Sequence, residues 1–127
     1  MLPKQPRVLL AEDHAELAKA VSRVLALDCE VVGNIPDGSA VLEAAQRLQP
    51  DVIVLDLNLP NVNGLELCRQ LTHLRSEAKI IVFTAMNDPE LRQRCFEVGA
   101  AAFVSKVAGD GDGDLLSTVK RLCVDRR

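Results

Sequence analysis

The sequence has no excess of positive charge. Its 127 residues include 15 Lys and Arg against 18 Asp and Glu, which gives a net charge of -3 and a pI near 5.3. DNA and anionic membrane surfaces attract basic patches, so neither is an expected partner of this segment. Long apolar segments are also missing, which argues against a signal peptide and against a membrane-spanning helix. We therefore predict a cytoplasmic protein that binds neither nucleic acid nor membrane directly.

Paired cysteines at metal-binding or redox spacing are missing as well. The four cysteines are scattered and form no CxxC motif, and most of them sit within apolar patterns where a thiol acts as a small hydrophobic group. This favours a reducing compartment. The length suits one compact domain and is too short for two ordinary ones. We predict a single domain over residues 1–127, with its core from about residue 6 to about residue 124 and no output domain.

Short apolar segments alternate along the chain with segments of helical spacing. The apolar segments are residues 7–11, 30–33, 51–55, 79–83 and 101–104, and the helical stripes span residues 17–25, 41–48, 67–74, 91–98 and 115–122. Strands that are apolar on both faces are typical of a parallel sheet with helices on both sides. Asp88 followed by Pro89 predicts the start of the fourth helix, and Gly99 predicts its end. The pattern predicts a doubly wound α/β domain, a three-layer sandwich with a five-stranded parallel sheet.

Polar residues follow several of these strands, at the edge of the sheet where α/β domains place their chemistry. They are Glu12, Asp13, Asp56, Thr84, Ser105 and Lys106. Each has an ordinary structural explanation: Asp13 with Glu16 resembles a helix capping pair, and a lone lysine is usually solvated. The group is harder to explain in this way, because clustered carboxylates repel one another unless a cation neutralises them.

A few carboxylate ligands completed by water and phosphate describe a magnesium site. Asp56 could then be both a metal ligand and a nucleophile that accepts a phosphoryl group as an acyl phosphate. The metal, the Lys106 ammonium and the Thr84 hydroxyl could each contact one phosphoryl oxygen. This arrangement suits a reaction that depends on positioning and on neutralisation of charge. Asn58 could supply its main-chain carbonyl to the metal.

Four segments give the sequence a resemblance to the receiver domain of two-component response regulators. They are LLAEDH with the acidic pair, DLNLPNVNG with the phosphoacceptor and its loop, VFTA with a switch hydroxyl, and FVSK with a switch aromatic and a lysine. The resemblance runs from about residue 7 to about residue 106, with a helix after it. It implies the CheY-like, flavodoxin-like fold with strand order 2-1-3-4-5. The details are most similar to receivers of the NarL/LuxR class, which carry a C-terminal DNA-binding domain.

The resemblance also implies a role for each residue of the site. Asp56 would be phosphorylated by a sensor histidine kinase or a phosphotransfer protein, with Mg²⁺ (or Mn²⁺) as the cofactor. Asp13 and Asp56 would bind the metal directly, Asn58 would bind it through its main-chain carbonyl, and Glu12 would act through bound water. The expected phosphoryl contacts are the Thr84 hydroxyl, the Ala85 main chain and the Lys106 ammonium. The protein would not be an enzyme beyond catalysing its own phosphorylation and dephosphorylation.

The family function that the resemblance implies is a switch. Phosphorylation would draw Thr84 towards the phosphate and let Phe103 turn into the space this opens, although Phe103 could instead be an ordinary core residue. The surface formed by the fourth helix, fifth strand and fifth helix would change as a result. That surface could bind an output domain or a second copy of the chain, and the expected output is control of transcription.

Three departures from the family pattern lead to expectations of their own. Val107 follows Lys106 where many relatives have proline, so the backbone there is less constrained. The glycine-rich GDGDGD segment, residues 109–114, lacks the ligand spacing of an EF-hand and is predicted to be a solvated loop. Met86 is apolar, so with Asn58 it offers no side chain that would position attacking water well. We therefore expect an acyl phosphate that lasts long enough to isolate.

Two other functions remain open. The first is a degenerate receiver that only binds proteins. The second is a phosphatase of the haloacid dehalogenase type, which would need a second aspartate at the position of Asn58. Uptake of one phosphoryl group from acetyl phosphate, without sustained turnover of phosphate esters, distinguishes a working receiver from both. Both histidines, His14 and His73, are predicted to be structural or solvated.

Overall fold

The computed structural model describes residues 5–74, 77–107 and 114–123. The strands are β1 (Arg7–Ala11), β2 (Glu30–Asn34), β3 (Val52–Leu55), β4 (Lys79–Thr84) and β5 (Ala102–Ser105). The helices are α1 (Ala15–Leu25), α2 (Val41–Leu48), α3 (Gly64–Thr72), α4 (Pro89–Glu97) and α5 (Leu115–Cys123), and a 3₁₀ turn, Gly38–Ala40, precedes α2. Each predicted strand is found within one residue of its predicted bounds. Most of the GDGDGD segment lies outside the described residues, so the loop expected there stays a prediction.

The five strands form one parallel sheet in the order β2-β1-β3-β4-β5. This is the predicted fold class and strand order. The order reverses between β1 and β3, and such a reversal leaves a crevice at the carboxyl ends of those two strands. Among the described helices, none is long and apolar enough to cross a membrane.

Alternate residues of the central strands pack into two separate apolar layers. Along β1, Leu9 packs on the side covered by α2, α3 and α4, whereas Leu10 packs on the side covered by α1 and α5. Along β3, Ile53 and Val54 divide between the same two layers. Burial on both faces explains why these strands are apolar without interruption. The predicted three-layer sandwich is confirmed.

Buried thiols contribute to the apolar packing as predicted. Cys68 of α3 and Cys95 of α4 are fully buried in the same layer. Burial disfavours a thiolate and raises the pKa of Cys68 to about 12 and that of Cys95 to about 11. Both side chains are therefore protonated, and they act as small hydrophobic groups.

The predicted boundaries of α4 are also found. The Asp88 carboxylate accepts a hydrogen bond from the Glu90 N–H at 3.0 Å, and Pro89 occupies the first helical position. After the helix, Gly99 has a φ of 113°, a left-handed conformation that glycine adopts readily.

The start of α1 differs from the capping pair that Asp13 and Glu16 resemble. The N-cap is His14, whose Nδ1 accepts a hydrogen bond from the Leu17 N–H at 3.3 Å. The imidazole can cap the helix because its unprotonated nitrogen is an acceptor, as the carboxylate of Asp13 would have been. The capping interpretation of Asp13 is therefore wrong, and its exposed carboxylate is left at the sheet edge.

Candidate functional site

Three carboxylates meet at the crevice between β1 and β3. Glu12 and Asp13 directly follow β1, and Asp56 directly follows β3. One carboxylate oxygen of each lies within 4.8 Å of the other two. Glu12 and Asp56 are 1% and 5% exposed, whereas Asp13 faces solvent. The pairing of β1 with β3 brings these residues together although the sequence separates them widely.

Lys106 joins the two buried carboxylates. Its Nζ lies 2.6 Å from Oε1 of Glu12 and 3.1 Å from Oδ2 of Asp56, and its side chain is only 15% exposed. Burial by itself disfavours the ammonium, but the hydrogen bonds to the two carboxylates outweigh it, so the pKa of Lys106 is raised above its usual value. The ion pair between Lys106 and Glu12 was not predicted, because the sequence carries no signal for a contact between residues so far apart.

Main-chain N–H groups hold the remaining oxygens of both buried acids. Oδ1 of Asp56 accepts a hydrogen bond from the Asn58 N–H at 2.9 Å, and Oε2 of Glu12 accepts one from the His14 N–H at 3.0 Å. Each carboxylate is thus held at one oxygen by the backbone and at the other by Lys106. This arrangement leaves little rotational freedom for either side chain.

The donor chemistry of the cluster fits Mg²⁺ or a similar hard cation. Three negative carboxylates share one positive lysine, so the group carries two uncompensated negative charges. All three acids offer oxygen atoms, which Mg²⁺ prefers, and the exposure of Asp13 keeps one side open to water and a phosphoryl donor. The residues that could hold the ion are Asp13 and Asp56 directly and Glu12 through water.

Thr84 ends β4 next to this cluster and is fully buried. Its Oγ1 accepts a hydrogen bond from the Met86 N–H at 3.2 Å, and its carbonyl accepts one from the Lys106 N–H at 2.8 Å. The second bond ties the end of β4 to Lys106, which follows β5. Ala85, the next residue, is exposed.

Phe103 of β5 is 1% exposed and belongs to the layer under α4. The guanidinium carbon of Arg92 in α4 lies 5.9 Å from the centre of its ring and 5.3 Å from the ring of Phe96. Both distances are within the range of a cation–π contact. The predicted switch aromatic thus points inward in this structure and contacts the helix whose surface it is expected to control.

Comparison with known proteins identifies the chain. The family model described as the response regulator receiver domain matches residues 8–119. The chain belongs to the response regulator receiver family. The structure of a LuxR-family two-component response regulator from Aurantimonas sp. SI85-9A1 superposes on this chain with a TM-score of 0.86 and 25% sequence identity. The superposition includes 98% of this chain and 89% of that chain. The predicted family is confirmed.

Two curated relatives are longer than this chain. The receiver is 30% identical over 102 residues to the transcriptional regulatory protein DegU of Brevibacillus brevis, with 79% of this chain and 43% of the relative covered. It is 34% identical over 122 residues to a protein-glutamate methylesterase/protein-glutamine glutaminase of Treponema pallidum, with 93% of this chain and 30% of the relative covered. The chain therefore spans less than half the length of these relatives.

Proposed function

We propose that this receiver accepts one phosphoryl group on Asp56, in a Mg²⁺-dependent reaction, from a sensor histidine kinase or a phosphotransfer protein. The observation that carries the proposal is the environment of the Asp56 carboxylate. It is buried beside two other acids, with one oxygen held by a backbone N–H and the other 3.1 Å from the Lys106 ammonium. A carboxylate held in this way is oriented for attack on phosphorus.

The reaction is a single displacement at phosphorus. One carboxylate oxygen of Asp56 attacks, an O–P bond forms, and the bond to the donor breaks. The electron pair of that bond leaves with the imidazole nitrogen of a phosphohistidine or with the acetate oxygen of acetyl phosphate. Lys106 would then turn from Glu12 to a phosphoryl oxygen, while the Thr84 hydroxyl and the Ala85 N–H would contact another.

A divalent ion would neutralise charge on the phosphoryl oxygens when it is bound. Asp13 and Asp56 would hold it directly, Asn58 through its main-chain carbonyl, and Glu12 through water. Without the ion, Lys106 compensates only part of the charge of the three acids. Mn²⁺ should replace Mg²⁺, because it accepts the same oxygen ligands.

The signal would travel from Thr84 to Phe103 and then to the α4-β5-α5 surface. The contact of Arg92 with the Phe103 ring supports this route, because it joins the switch aromatic to α4. The surface would bind an output domain or a second receiver. Control of transcription is the output favoured by the relative DegU and by the LuxR-family structure. We propose a cytoplasmic location, where such kinases carry their phosphodonor and where the buried thiols stay reduced.

The phosphorylated form should be long-lived. The side-chain amide of Asn58 is turned towards Met86, with Nδ2 3.7 Å from the thioether sulfur. An amide engaged in this way is not a general base, and the thioether is only a weak acceptor. We therefore expect the acyl phosphate to survive isolation by gel filtration, followed by intact-protein mass spectrometry. Loss of the phosphoryl group within the dead time of that separation would contradict the prediction.

The test is incubation with acetyl phosphate and MgCl₂, followed by mass spectrometry of the intact protein. We expect one added phosphoryl group in the wild type and none in Asp56→Asn. Asp28→Asn is the matched control, because Asp28 is paired with Lys120 on an exposed surface away from the crevice. Absence of uptake by the folded wild type would favour a module that only binds proteins. Sustained release of phosphate from phosphate esters would favour a phosphatase.

A further inference from the structure

The loop between β3 and α3 carries the carbonyl of Asn58 that is expected to face the metal. At its start Leu57 and Leu59 are buried in the core, and at its end Asn63 caps α3. Residues 60 and 61 lie between these anchors and are exposed. Core packing therefore holds the start of the loop and the helix cap holds its end, but neither holds residues 60 and 61.

A second segment, just before α2, contacts the middle of this loop. The side-chain amide of Asn61 donates a hydrogen bond through Nδ2 to Oδ2 of Asp37 at 3.1 Å. The Gly38 N–H donates one to the Pro60 carbonyl oxygen, also at 3.1 Å. Two adjacent residues of one segment thus bind two adjacent residues of the other. Pro60 and Asn61 lie within the DLNLPNVNG segment of the family resemblance, whereas Asp37 and Gly38 lie outside its four segments.

Asp37 is a rigid acceptor. Its Oδ1 accepts hydrogen bonds from the Ser39 N–H at 2.9 Å and from the Ser39 hydroxyl at 2.8 Å. The Ser39 backbone, the Ser39 hydroxyl and the Asn61 amide together lower the pKa of the Asp37 carboxyl. The side chain is therefore ionised near neutral pH, and its second oxygen is oriented towards Asn61.

The two segments also approach too closely for a side chain at Gly38. A Cβ at this position would lie 2.2 Å from Cγ2 of Val62 and 3.0 Å from the Pro60 carbonyl oxygen. Asn61 has a φ of 71°, in the left-handed region that few residues other than glycine, asparagine and aspartate adopt. The residue with the least common backbone conformation in the loop is thus the one whose side chain Asp37 binds.

We propose that Asp37, through Asn61, is a positioning residue that holds the β3–α3 loop so that the Asn58 carbonyl stays at the metal site. The inference rests on the proposed function, because only a metal-dependent receiver needs this carbonyl. A metal ligand must stay within a few tenths of an ångström of its place, and groups that orient ligands affect metal affinity about 10- to 100-fold. The span from Asn58 to Asn61 is short enough to transmit a shift of the loop.

Exchange of the two side chains tests the proposal. Asp37→Asn places two amides opposite each other, which can still pair through N–H and C=O, whereas Asn61→Asp places two carboxylates there and loses the hydrogen bond. The double variant restores it with donor and acceptor reversed, and it keeps an oxygen to accept from the Ser39 N–H. Asn61→Gly removes the side chain and suits the positive φ, so it should fold even if the single exchanges do not.

The quantity to measure is the affinity for Mg²⁺. It is obtained by isothermal titration calorimetry and by following the backbone amide chemical shift of Asn58 in NMR spectra during a Mg²⁺ titration. We expect Asn61→Asp and Asn61→Gly to bind Mg²⁺ about tenfold more weakly, and Asp37→Asn and the double variant to bind it with near wild-type affinity. In acetyl phosphate reactions of the two weaker variants, the Mg²⁺ concentration for half-maximal rate should rise while the maximal rate is kept. Ser39→Ala, which leaves the contact between Asp37 and Asn61 in place, is the control and should bind Mg²⁺ like the wild type.

Unchanged Mg²⁺ affinity in Asn61→Gly, or a double variant that binds Mg²⁺ as weakly as Asn61→Asp, would overturn the inference and leave Asp37 as a helix cap. That result is distinct from failure of the proposed function. If the wild type takes up no phosphoryl group and binds no Mg²⁺, the function itself is refuted, and the inference falls with it.

Discussion

Replacement of Lys106 by Met would leave two buried carboxylates without their cation. Met keeps most of the apolar stem that fills this part of the crevice, so the substitution chiefly removes the charge. Glu12 and Asp56 would remain 1% and 5% exposed, with neither able to reach bulk water easily. We expect the metal-free variant to be clearly less stable than the wild type.

The size of the loss follows from the two ion pairs. At 2.6 Å and 3.1 Å, with an effective dielectric constant of about 20, each attraction amounts to about 5 to 6 kcal/mol before the cost of desolvation is subtracted. Removal of one partner from a buried pair lowers the free energy of unfolding by about 3–5 kcal/mol. Mg²⁺ at a hundred times its dissociation constant stabilises a protein by about 2.7 kcal/mol. Because Lys106 no longer competes for the acids, Mg²⁺ should stabilise the variant more than the wild type.

Urea unfolding followed by far-UV circular dichroism is the suitable assay, because the chain has no Trp and no Tyr to report by fluorescence. It is run in EDTA and in saturating MgCl₂. Lys120→Met is the matched control. Lys120 pairs with Asp28, and their side chains are 56% and 46% exposed, so this ion pair should contribute less than about 1 kcal/mol to the free energy of unfolding. A Lys106→Met variant as stable as the wild type in EDTA, or equal stabilisation of both by Mg²⁺, would refute the reasoning.

Three further predictions concern the same site. Asp13→Asn removes one of three mutually repelling carboxylates, so it should stabilise the metal-free protein by about 1 kcal/mol and abolish stabilisation by Mg²⁺. Glu77→Gln, at an exposed position, is the control. An Asp13→Asn variant less stable than the wild type in EDTA would contradict this prediction. The raised pKa of Lys106 means that its contribution is complete below about pH 10.5 and is lost as pH rises through the folded-state pKa. The difference in unfolding free energy between wild type and Lys106→Met should therefore narrow above that pH, and a constant difference would argue against the linkage. Gly64→Ala would place a Cβ 2.2 Å from the Leu57 carbonyl oxygen, so it should lower the free energy of unfolding in urea by about 1–3 kcal/mol and slow phosphoryl uptake. Wild-type stability and uptake in this variant would show that the loop can move aside.

The sequence determined the layers of the fold and the residues at the functional edge. Uninterrupted apolar strands demand cover on both faces, and this demand produced the parallel sheet with helices on each side. Once the strands are parallel, their carboxyl ends lie on one edge, so Glu12, Asp56 and Lys106 had to lie along the same edge of the sheet. These conclusions follow from local patterns with a fixed period, which a single sequence contains.

The tertiary structure decided which side chains bind each other at that edge. Lys106 pairs with Glu12 as well as with Asp56, across separations of 94 and 50 residues. His14 rather than Asp13 caps α1, and Asp37 reaches the β3–α3 loop through Asn61. Such contacts depend on rotamers and on distances of a few ångströms between segments remote in the chain, and no periodic pattern in the sequence records them.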